Sequence, residues 1–416
     1  MLFSTALRLA TYPMLSSRLL LAKFERRLHE AGLPLLVRLW DGTVFGPSQD
    51  TSVQLTVKSP AAVAALARPS MGGLARGYVE QEFDVDGPAR DVLRVTEALC
   101  GGEEEVQRRR RGLHPWVRHT RFFDRKAVSS HYDVSDEFFG LWLDRRRVYS
   151  CAYFRRADDT LDIAQEQKLD HICRKLELKP GERFLDIGCG WGALAIWAAV
   201  RYQVHAVGVT LSQNQHDHAR RTIRELGLEG RCEVRLLDYR DIPDEGSFDK
   251  IASVGMFEHV GVKNLPQYFG KVARLLKPGG AVLNHGITLS SLKQVELGSG
   301  IGEFIDDYVF PGGELTHISR VIADLSEQGL ESVDVESLRP HYARTLWSWV
   351  DRLEANRAAA VAIVGEKTYR IWRIYMAGSA HAFERGWMSV YQVLAGKPRA
   401  NGTLALPATR DYIYTG

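Results

Sequence analysis

The spacing of apolar residues differs between the first hundred residues and the rest of the chain. In residues 1–100 the apolar runs are short and strand-like, as in Leu35–Trp40 and Val53–Val57. Asp41-Gly42, which follows the first run, is typical of a hairpin turn, and a helix is predicted over Ser59–Leu66. The pattern predicts a small α+β domain over residues 1–100, in which no catalytic cluster is visible.

From residue 128 onward, strand patterns alternate with helical patterns. Five strands are predicted, at Arg183–Ile187, Val204–Val209, Cys232–Leu237, Ile251–Val254 and Ala281–His285. The stretches between them have helical spacing, as in Ala193–Arg201. Repeated β-α units predict a parallel sheet with helices on both faces. Residues 291–416 look mainly helical and rich in Trp and Tyr, so the prediction is one α/β catalytic domain over residues 128–416.

The segment between these domains, residues 101–127, is predicted to be a basic linker. It contains Arg108–Arg111, followed by Arg118, Arg121, Arg125 and Lys126. Such a run is typical of a solvated connection. It also suits a strip held near an anionic membrane, where each Lys or Arg contributes about 1 kcal/mol. Aromatic residues for base stacking are sparse here, so no nucleic-acid partner is expected.

Composition narrows the class of protein. Of 416 residues, 45% are hydrophobic and 25% charged, which is ordinary for a globular protein and excludes a mainly disordered or collagen-like chain. The net charge is only +3. The five cysteines contain no Cys-x-x-Cys pair, which argues against zinc and disulfides and favours a cytoplasmic location. No apolar run approaches the ~18–20 residues that span a bilayer, and residues 1–24 lack the apolar core of a signal peptide.

A glycine-rich turn, Asp186–Gly192, falls where a strand should end and a helix begin. Glycines there let a ligand approach the backbone closely. The spacing is Gly-x-Gly-x-Gly rather than the dinucleotide pattern Gly-x-Gly-x-x-Gly. A later turn, Lys277–Gly280, stands where methyltransferases have one. Together the two turns resemble those of class I S-adenosylmethionine-dependent methyltransferases, and this implies S-adenosylmethionine as cofactor.

The second predicted strand departs from the usual pattern of that class. Ordinary members place a carboxylate at its end to bind the ribose, whereas this chain continues with Thr210–Gln215, which contains none. Hydroxyl and amide side chains can form those hydrogen bonds instead. Asp238 and Tyr239 follow the third strand, where the adenine is usually bound.

Five longer motifs extend the resemblance to a family. They are Tyr149–Phe154, Leu185–Gly192, Thr210–Gln215, Met256–Gly261 and Phe304–Gly313. In this order they resemble the cyclopropane-fatty-acyl-phospholipid synthase family, over about residues 30–400. The small N-terminal domain resembles that of the phospholipid-acting bacterial members. The implied fold is a Rossmann-like class I methyltransferase with helical C-terminal insertions that form an acyl site.

The resemblance also implies a reaction and a set of site residues. A methylene group passes from S-adenosylmethionine to the cis double bond of an unsaturated phospholipid acyl chain and closes a cyclopropane ring, with bound bicarbonate as proton acceptor. The implied bicarbonate site consists of Cys151, Glu258, His285, Ile287 and Tyr342, of which Tyr342 has the shortest local match. The implied cofactor residues are Tyr149, Ser150, Gly188, Gly190, Thr210, Ser212, Gln213, Gln215, Asp238 and Tyr239.

The chemistry of the implied bicarbonate site is self-consistent. A cationic intermediate on a hydrocarbon chain needs a dry site and a base of modest strength. Thiol, hydroxyl, imidazole and backbone N–H groups can hold a small anion, and Glu258 can accept from its hydroxyl. Taken singly, Cys151 also suits a buried apolar role, Glu258 a helix cap with His259, and His285 a core position.

Other readings stay open at this stage. The same fold could leave the acyl chain methyl-branched or methylenated, as in tuberculostearic-type methylation, and a non-catalytic lipid-binding protein is a more distant alternative. Trp347, Trp349 and Trp372 suit the core better than an acyl tunnel. The acidic cluster Glu303, Asp306 and Asp307 lacks a histidine partner, so no metal is expected. We expect a cytoplasmic enzyme that docks peripherally on the inner membrane face, and the resemblance allows a homodimer.

Overall fold

The computed structural model describes residues 32–46, 51–63, 69–100, 135–243, 245–292, 300–309 and 313–414, together with 24–26, 28 and 66. The predicted linker over 101–127 lies outside these residues. The chain divides into two compact units. The first contains residues 1–110, 295–309 and 357–381, and the second contains residues 111–294, 310–356 and 382–416. The domain boundaries drawn from the sequence stay a prediction.

The first unit contains a four-stranded sheet in the order β2-β1-β3-β4. Its strands are β1 (Leu35–Arg38), β2 (Val44–Phe45), β3 (Val53–Val57) and β4 (Phe83–Asp86). The turn predicted at Asp41-Gly42 joins the antiparallel strands β1 and β2, and β1 runs parallel to β3. The helix predicted over Ser59–Leu66 begins as a 3₁₀ turn at Pro60–Ala62.

Among the described residues, four helices belong to the first unit, and two of them approach closely at a pair of glycines. The four helices are α1 (Met71–Val79), α2 (Ala89–Cys100), α8 (Ile301–Tyr308) and, up to residue 381, α11 (Arg357–Glu384). A Cβ at Gly72 of α1 would overlap the backbone of Gly300, which precedes α8. Asp307, from the acidic cluster seen in the sequence, pairs with Arg76 at 2.9 Å. That carboxylate therefore supports helix packing.

The second unit is built on a seven-stranded sheet in the order β10-β11-β9-β8-β5-β6-β7. The strands are β5 (Arg183–Ile187), β6 (His205–Thr210), β7 (Cys232–Leu236), β8 (Phe248–Val254), β9 (Leu276–Leu289), β10 (Glu331–Ser337) and β11 (Met388–Gly396). The helices are α3 (Asp136–Gly140), α4 (Leu161–Lys175), α5 (Ala193–Arg201), α6 (Gln213–Glu225), α7 (Leu265–Leu275), α9 (Ile318–Glu327), α10 (Arg339–Ala355) and α12 (Asp411–Tyr414). The five strands predicted from the sequence are confirmed: the ends of the first four differ from the prediction by at most three residues, and the fifth, β9, is nine residues longer than predicted.

The described part of residues 291–416 is mainly helical, as expected, but two strands in it, β10 and β11, were not predicted. β11 is antiparallel to both of its neighbours, β9 and β10. It is buried at eight of its nine positions, so it lacks the alternation that identifies a half-buried strand and resembles a buried helix segment. β10 was missed for a different reason: most of its residues are at least partly exposed, so it lacks the buried apolar positions that identify a strand.

The predicted turn at Lys277–Gly280 lies within a strand. β9 is continuous from Leu276 to Leu289, and its register against β8 shifts beside the turn. Gly279 has φ 84°, a left-handed conformation that favours glycine. The Gly279 amide donates to the carbonyl of Lys397 at 2.8 Å. The turn is therefore a strand irregularity that β11 and the residue after it hold in place.

Candidate active site

The glycine turn after β5 forms the floor of a cleft. Gly188, Gly190 and Gly192 have φ values of 76°, 54° and 83°, which explains the repeated glycines because side chains disfavour this region. A Cβ at Gly190 would meet no atom within 4 Å. Gly190 therefore borders open space, where a ligand can approach the backbone.

The cleft encloses about 980 Å³, including the part that opens to solvent. Seven of the ten predicted cofactor residues line it: Tyr149, Ser150, Gly188, Gly190, Thr210, Gln215 and Tyr239. The other three, Ser212, Gln213 and Asp238, do not. The structure thus brings together most of the predicted set around one cavity at the carboxyl ends of β5 and β6, where ligands bind in open α/β sheets.

Polar groups replace a carboxylate at the end of β6. Thr210 Oγ1 donates to Gln215 Oε1 at 2.8 Å. Ser212 caps α6, because its hydroxyl accepts from the Gln215 amide. All three side chains are buried. Ser212 therefore stabilises the start of α6 and does not line the cleft. Thr210 holds the side chain of Gln215, which does line the cleft.

Two predicted cofactor residues, Gln213 and Asp238, form hydrogen bonds with neighbouring side chains outside the cleft. Gln213 is exposed, and its amide donates to Asp217 at 2.8 Å. Asp238 accepts from the Arg240 side chain at 2.8 and 2.6 Å, while Tyr239 lines the cleft. In this arrangement Tyr239 presents the aromatic surface and Asp238 fixes the turn that carries it.

The segment Val148–Ala152 joins the cofactor cleft to the predicted bicarbonate site. Gln165 on α4 donates from Nε2 to the carbonyl of Ser150 at 2.9 Å. On the other side, the Ala152 amide donates to Thr345 Oγ1 on α10 at 3.0 Å. Buried side chains of two helices therefore fix a short stretch in which Tyr149 and Ser150 face the cleft and Cys151 is buried.

Glu258 is the buried carboxyl group of the site. It lies in a 3₁₀ turn, Phe257–His259, and its Oε1 accepts from the Ile287 amide at 2.6 Å. A Cβ at Gly286 would overlap the Phe257 ring and lie 2.9 Å from Glu258 Oε1, so the close approach of the turn to β9 requires glycine there. Burial raises the pKa of Glu258 to about 7. Its Oε2 is buried and has no hydrogen-bond partner among the described residues.

His285 lies two residues before Ile287 on β9, and Gln392 of the paired strand β11 orients it. Gln392 Nε2 lies 3.2 Å from His285 Nδ1. An amide nitrogen donates, so Nδ1 accepts and the proton of the neutral ring is on Nε2. Burial lowers the pKa of His285 well below its usual value. Nε2 is buried without a partner in the described part of the chain, so the ring has one N–H to offer.

Cys151 and Tyr342 both contact the carbonyl of Leu338, the residue before α10. The Cys151 thiol lies 3.8 Å from the carbonyl of Leu338, the residue before α10, and Tyr342 lies in the first turn of that helix. Burial raises the pKa of Cys151 well above its usual range, so the thiol stays protonated. The Trp349 ring lies 5.2 Å from the Tyr149 ring and 6.2 Å from the Tyr342 ring. The rings of Tyr149, Trp349 and Tyr342 therefore form an aromatic cluster that begins at the cleft, which Tyr149 lines.

The other predicted core tryptophans, Trp347 and Trp372, are also buried. No group of three His, Cys, Asp or Glu side chains within the described ranges could hold a metal ion. Among those same residues, no helix has both the length and the apolar character needed to cross a bilayer.

Sequence reasoning missed several residues that the structure places around the site. They are Gln165, Lys168, Gly286, Thr345 and Gln392. One of them had a visible signal. Lys168 falls on the apolar face of α4, among positions such as Ala164 and Ile172 that are buried. A lysine on the apolar face of an amphipathic helix is unusual and indicates a specific partner.

The strand order, the one antiparallel strand β11 and the glycine turn after β5 define the class I S-adenosylmethionine-dependent methyltransferase fold. The crystal structure of the cyclopropane synthase MmaA2 from Mycobacterium tuberculosis has the same fold, with a TM-score of 0.63 and 37% identity over 66% of this chain and 98% of that one. The chain belongs to the mycolic acid cyclopropane synthetase family, whose model matches residues 119–393. The resemblance inferred from the sequence motifs is confirmed at the level of family and fold.

Relatives that match nearly the whole chain are described as methyltransferases. A Pseudomonas putida protein described as "Probable fatty acid methyltransferase" is 47% identical over 95% of this chain and 100% of its own length. The tuberculostearic acid methyltransferase UfaA1 of M. tuberculosis is 34% identical over 86% of this chain and 87% of its own. The cyclopropane mycolic acid synthase 1 of M. tuberculosis matches 65% of this chain at 38% identity.

Proposed function

We propose that this enzyme transfers a methylene group from S-adenosylmethionine to the cis double bond of an unsaturated phospholipid acyl chain and closes a cyclopropane ring, with bicarbonate as the proton acceptor. One observation supports the bicarbonate most directly. Glu258 Oε2 and His285 Nε2 are both buried and without partners among the described residues. Such groups are costly unless something binds to them.

A bicarbonate ion fits the chemistry of these groups. The His285 Nε2–H is a donor and suits an anionic oxygen, while a Glu258 carboxylate accepts from the hydroxyl of the ion. The thiol of Cys151 lies against the carbonyls of Ala152 and Leu338 in this structure and would have to turn from them to donate to the ion. The Ile287 amide is already bonded to Glu258, so in this arrangement Ile287 acts by orienting the carboxyl group. When bound, bicarbonate supplies a weak base in a site that holds no strong one.

The cofactor cleft fits S-adenosylmethionine, which supplies an activated methyl group when bound. Gly188 and Gly190 allow close approach, Thr210 and Gln215 offer hydroxyl and amide groups, and Tyr239 offers an aromatic face. In this proposal the aromatic cluster of Tyr149, Tyr342 and Trp349, in which Tyr342 and Trp349 are buried, would keep water from the reacting chain. A dry site is needed because water would otherwise trap a cationic acyl chain.

A second candidate function has specific support. The relatives that align over most of this chain are described as fatty acid methyltransferases. In that reading the same cation would shift a hydride and lose a different proton, which leaves a methylenated chain or a methyl-branched chain that keeps a double bond. The position of the proton acceptor relative to the chain would then help to decide between ring and branch.

Analysis of fatty acids from cells that make no cyclopropane lipids tests the function. Expression of this chain should add one CH₂ unit to unsaturated acyl chains, as seen by mass spectrometry. NMR then distinguishes a ring from a methyl branch or a methylene group. A ring supports the first candidate, a branch supports the second, and unmodified lipids from a well-expressed protein would overturn both.

Bicarbonate is tested separately with purified enzyme. Turnover should fall in carbon-dioxide-free buffer and recover when bicarbonate is added. Turnover that is indifferent to bicarbonate would remove the ion from the proposal and leave the transfer reaction intact.

A further inference from the structure

Lys168 is a buried cation in the wall of the cofactor cleft. It lies on α4, is 2% exposed and lines the cavity beside Ser150 and Asp186. Its Nζ donates to Ser150 Oγ at 2.9 Å. Among the described residues, it has no carboxylate within ion-pair distance, and Asp144 and Asp186 act on it only from farther away. Burying a charge without a close partner is energetically unfavourable.

The second buried lysine of α4 shows the contrast. Lys175 is 1% exposed and lies two turns after Lys168. Its Nζ pairs with Asp334 at 2.8 Å and with Glu336 at 2.6 Å. Lys175 does not line the cleft. Within one helix, then, one buried lysine is neutralised by the protein and the other faces a cavity.

The other charged side chains that line the cleft, Arg147 and Asp186, are less suited to bind an anion. Arg147 pairs with Asp136 at 3.3 Å. Asp186 is a carboxyl group, which cannot bind an anion, and burial raises its pKa to about 7. Burial also lowers the pKa of Lys168 to about 8, as expected of an ammonium group that still lacks its counter-ion. Lys168 is thus the cation of this cleft that remains available to an anionic group.

We propose that Lys168, together with the Ser150 hydroxyl, binds the α-carboxylate of S-adenosylmethionine. That carboxylate is the only anionic group of the cofactor. Ser150 can accept from Lys168 and donate to the carboxylate at the same time, so the two side chains would grip one group. The cofactor ammonium then lies on the Asp186 side, where the carboxylate complements it. This assignment rests on the binding of S-adenosylmethionine and is independent of the lipid product.

Two ligands that differ only at the amino-acid end test the assignment. S-adenosylhomocysteine has the α-carboxylate, whereas 5′-methylthioadenosine lacks the whole amino-acid group. Calorimetry on the full chain should show that Lys168→Met weakens S-adenosylhomocysteine by at least about 30-fold, the usual effect of truncating one partner of a buried charge pair. The affinity for 5′-methylthioadenosine should be unchanged.

The result that overturns the assignment is an equal change for the two ligands, whether both weaken or neither does. Ser150→Ala should show the same selectivity with a smaller loss. Lys175→Met is the matched control and should leave the ratio of the two affinities unchanged. Failure of the wild-type chain to bind either ligand would instead overturn the cofactor assignment itself.

Thermal unfolding adds a readout that does not depend on ligand. Lys168→Met removes a buried charge that no nearby carboxylate compensates, so the melting temperature of the unliganded protein should not fall. Lys175→Met removes the cation shared by Asp334 and Glu336, so its melting temperature should fall. A large destabilisation by Lys168→Met would assign Lys168 a purely structural role and overturn the proposal; Lys168→Gln repeats the ligand comparison if the Met variant does not fold.

Discussion

Glu258 has one oxygen committed to the Ile287 amide and one without a partner in the described structure, and it does not line the cofactor cleft. We therefore predict that Glu258→Gln keeps the affinity for S-adenosylhomocysteine and loses most of the turnover. The expected loss is about 10²–10⁴-fold, the usual range for a group that acts in proton transfer. Product formation by mass spectrometry and binding by calorimetry give the two readouts.

Glu233→Gln is a suitable control for this prediction. Glu233 is an exposed carboxylate in β7 that pairs with Arg235, and its replacement should leave turnover unchanged. Wild-type turnover in Glu258→Gln would remove Glu258 from the mechanism.

The raised pKa of Glu258 gives a second prediction at the residue scale. Burial raises this pKa from 4.5 to about 7, so in bicarbonate-free buffer the folded protein should hold a protonated carboxyl group below that pH. The infrared band of a protonated carboxyl group should fade as pH rises through about 7. Asp186, with its pKa also raised to about 7, contributes a similar band, and the difference between wild type and Glu258→Gln isolates Glu258.

The same shift affects stability with a definite sign. The folded state binds this proton more tightly than the unfolded chain, so the contribution of Glu258 to stability is complete below pH 4.5 and is lost as pH rises through about 7. Glu258→Gln should remove that part of the pH dependence. A difference band already absent at pH 5 would contradict the raised pKa.

At the scale of elements, the turn between β5 and α5 makes the cleft. Gly190 has φ 54° and borders open space, so a valine there would both strain the backbone and fill the ligand's path. Gly190→Val should abolish binding of S-adenosylhomocysteine while the fold survives. Calorimetry and circular dichroism measure the two effects.

A matched glycine separates strain from obstruction. Gly227, after α6, has φ 65° and also borders open space, but it lies outside the cleft. Gly227→Val should cost similar stability and leave binding intact. An unchanged affinity in Gly190→Val would mean that the cofactor site has been misplaced.

At this scale, the sequence predicts a structural feature when the residues that specify it are close together in the chain. The turn from Asp186 to Gly192 is specified by residues adjacent in the chain, and so its strand, its helix and its ligand-facing role were predictable. The five central strands were predictable for the same reason, because β-α units repeat locally.

The remaining features depend on partners far away in the chain. Gln392 orients His285 across the pairing of β9 with β11, and nothing near residue 392 indicates that contact. Asp238, predicted at the cofactor, pairs with Arg240, and its place in the cofactor site stays a prediction. The sequence likewise does not show why residue 286 must be glycine. The reason is the Phe257 ring, which packs on β9 at this position and is distant in the chain.

At the scale of the whole molecule, the proposed phospholipid substrate would require the protein to dock on a membrane surface. The net charge of +3 is small, so docking by charge must be local. Arg108–Arg111, outside the described residues, are the densest basic run in the sequence. We predict stronger binding to anionic than to neutral vesicles, and weaker binding as salt rises above ~0.1 M, where the Debye length falls below ~10 Å.

Replacing Arg108–Arg111 with Gln should reduce sedimentation with anionic vesicles and leave the affinity for S-adenosylhomocysteine unchanged. Equal vesicle binding by variant and wild type at low salt would contradict the prediction and favour docking through apolar residues of the N-terminal region.

The place of β11 in the sheet has a consequence for synthesis of the protein. β11 is the last strand in the sequence, yet it lies between β9 and β10. The residues that line the cofactor cleft, 147–259, leave the ribosome well before it. Until β11 arrives, β9 and β10 lack their shared partner, and unpaired strand edges promote aggregation. A chain that stops short of residue 388 would contain every residue of the cleft but would lack Gln392, which orients His285, so the surroundings of His285 are completed only when β11 has been made.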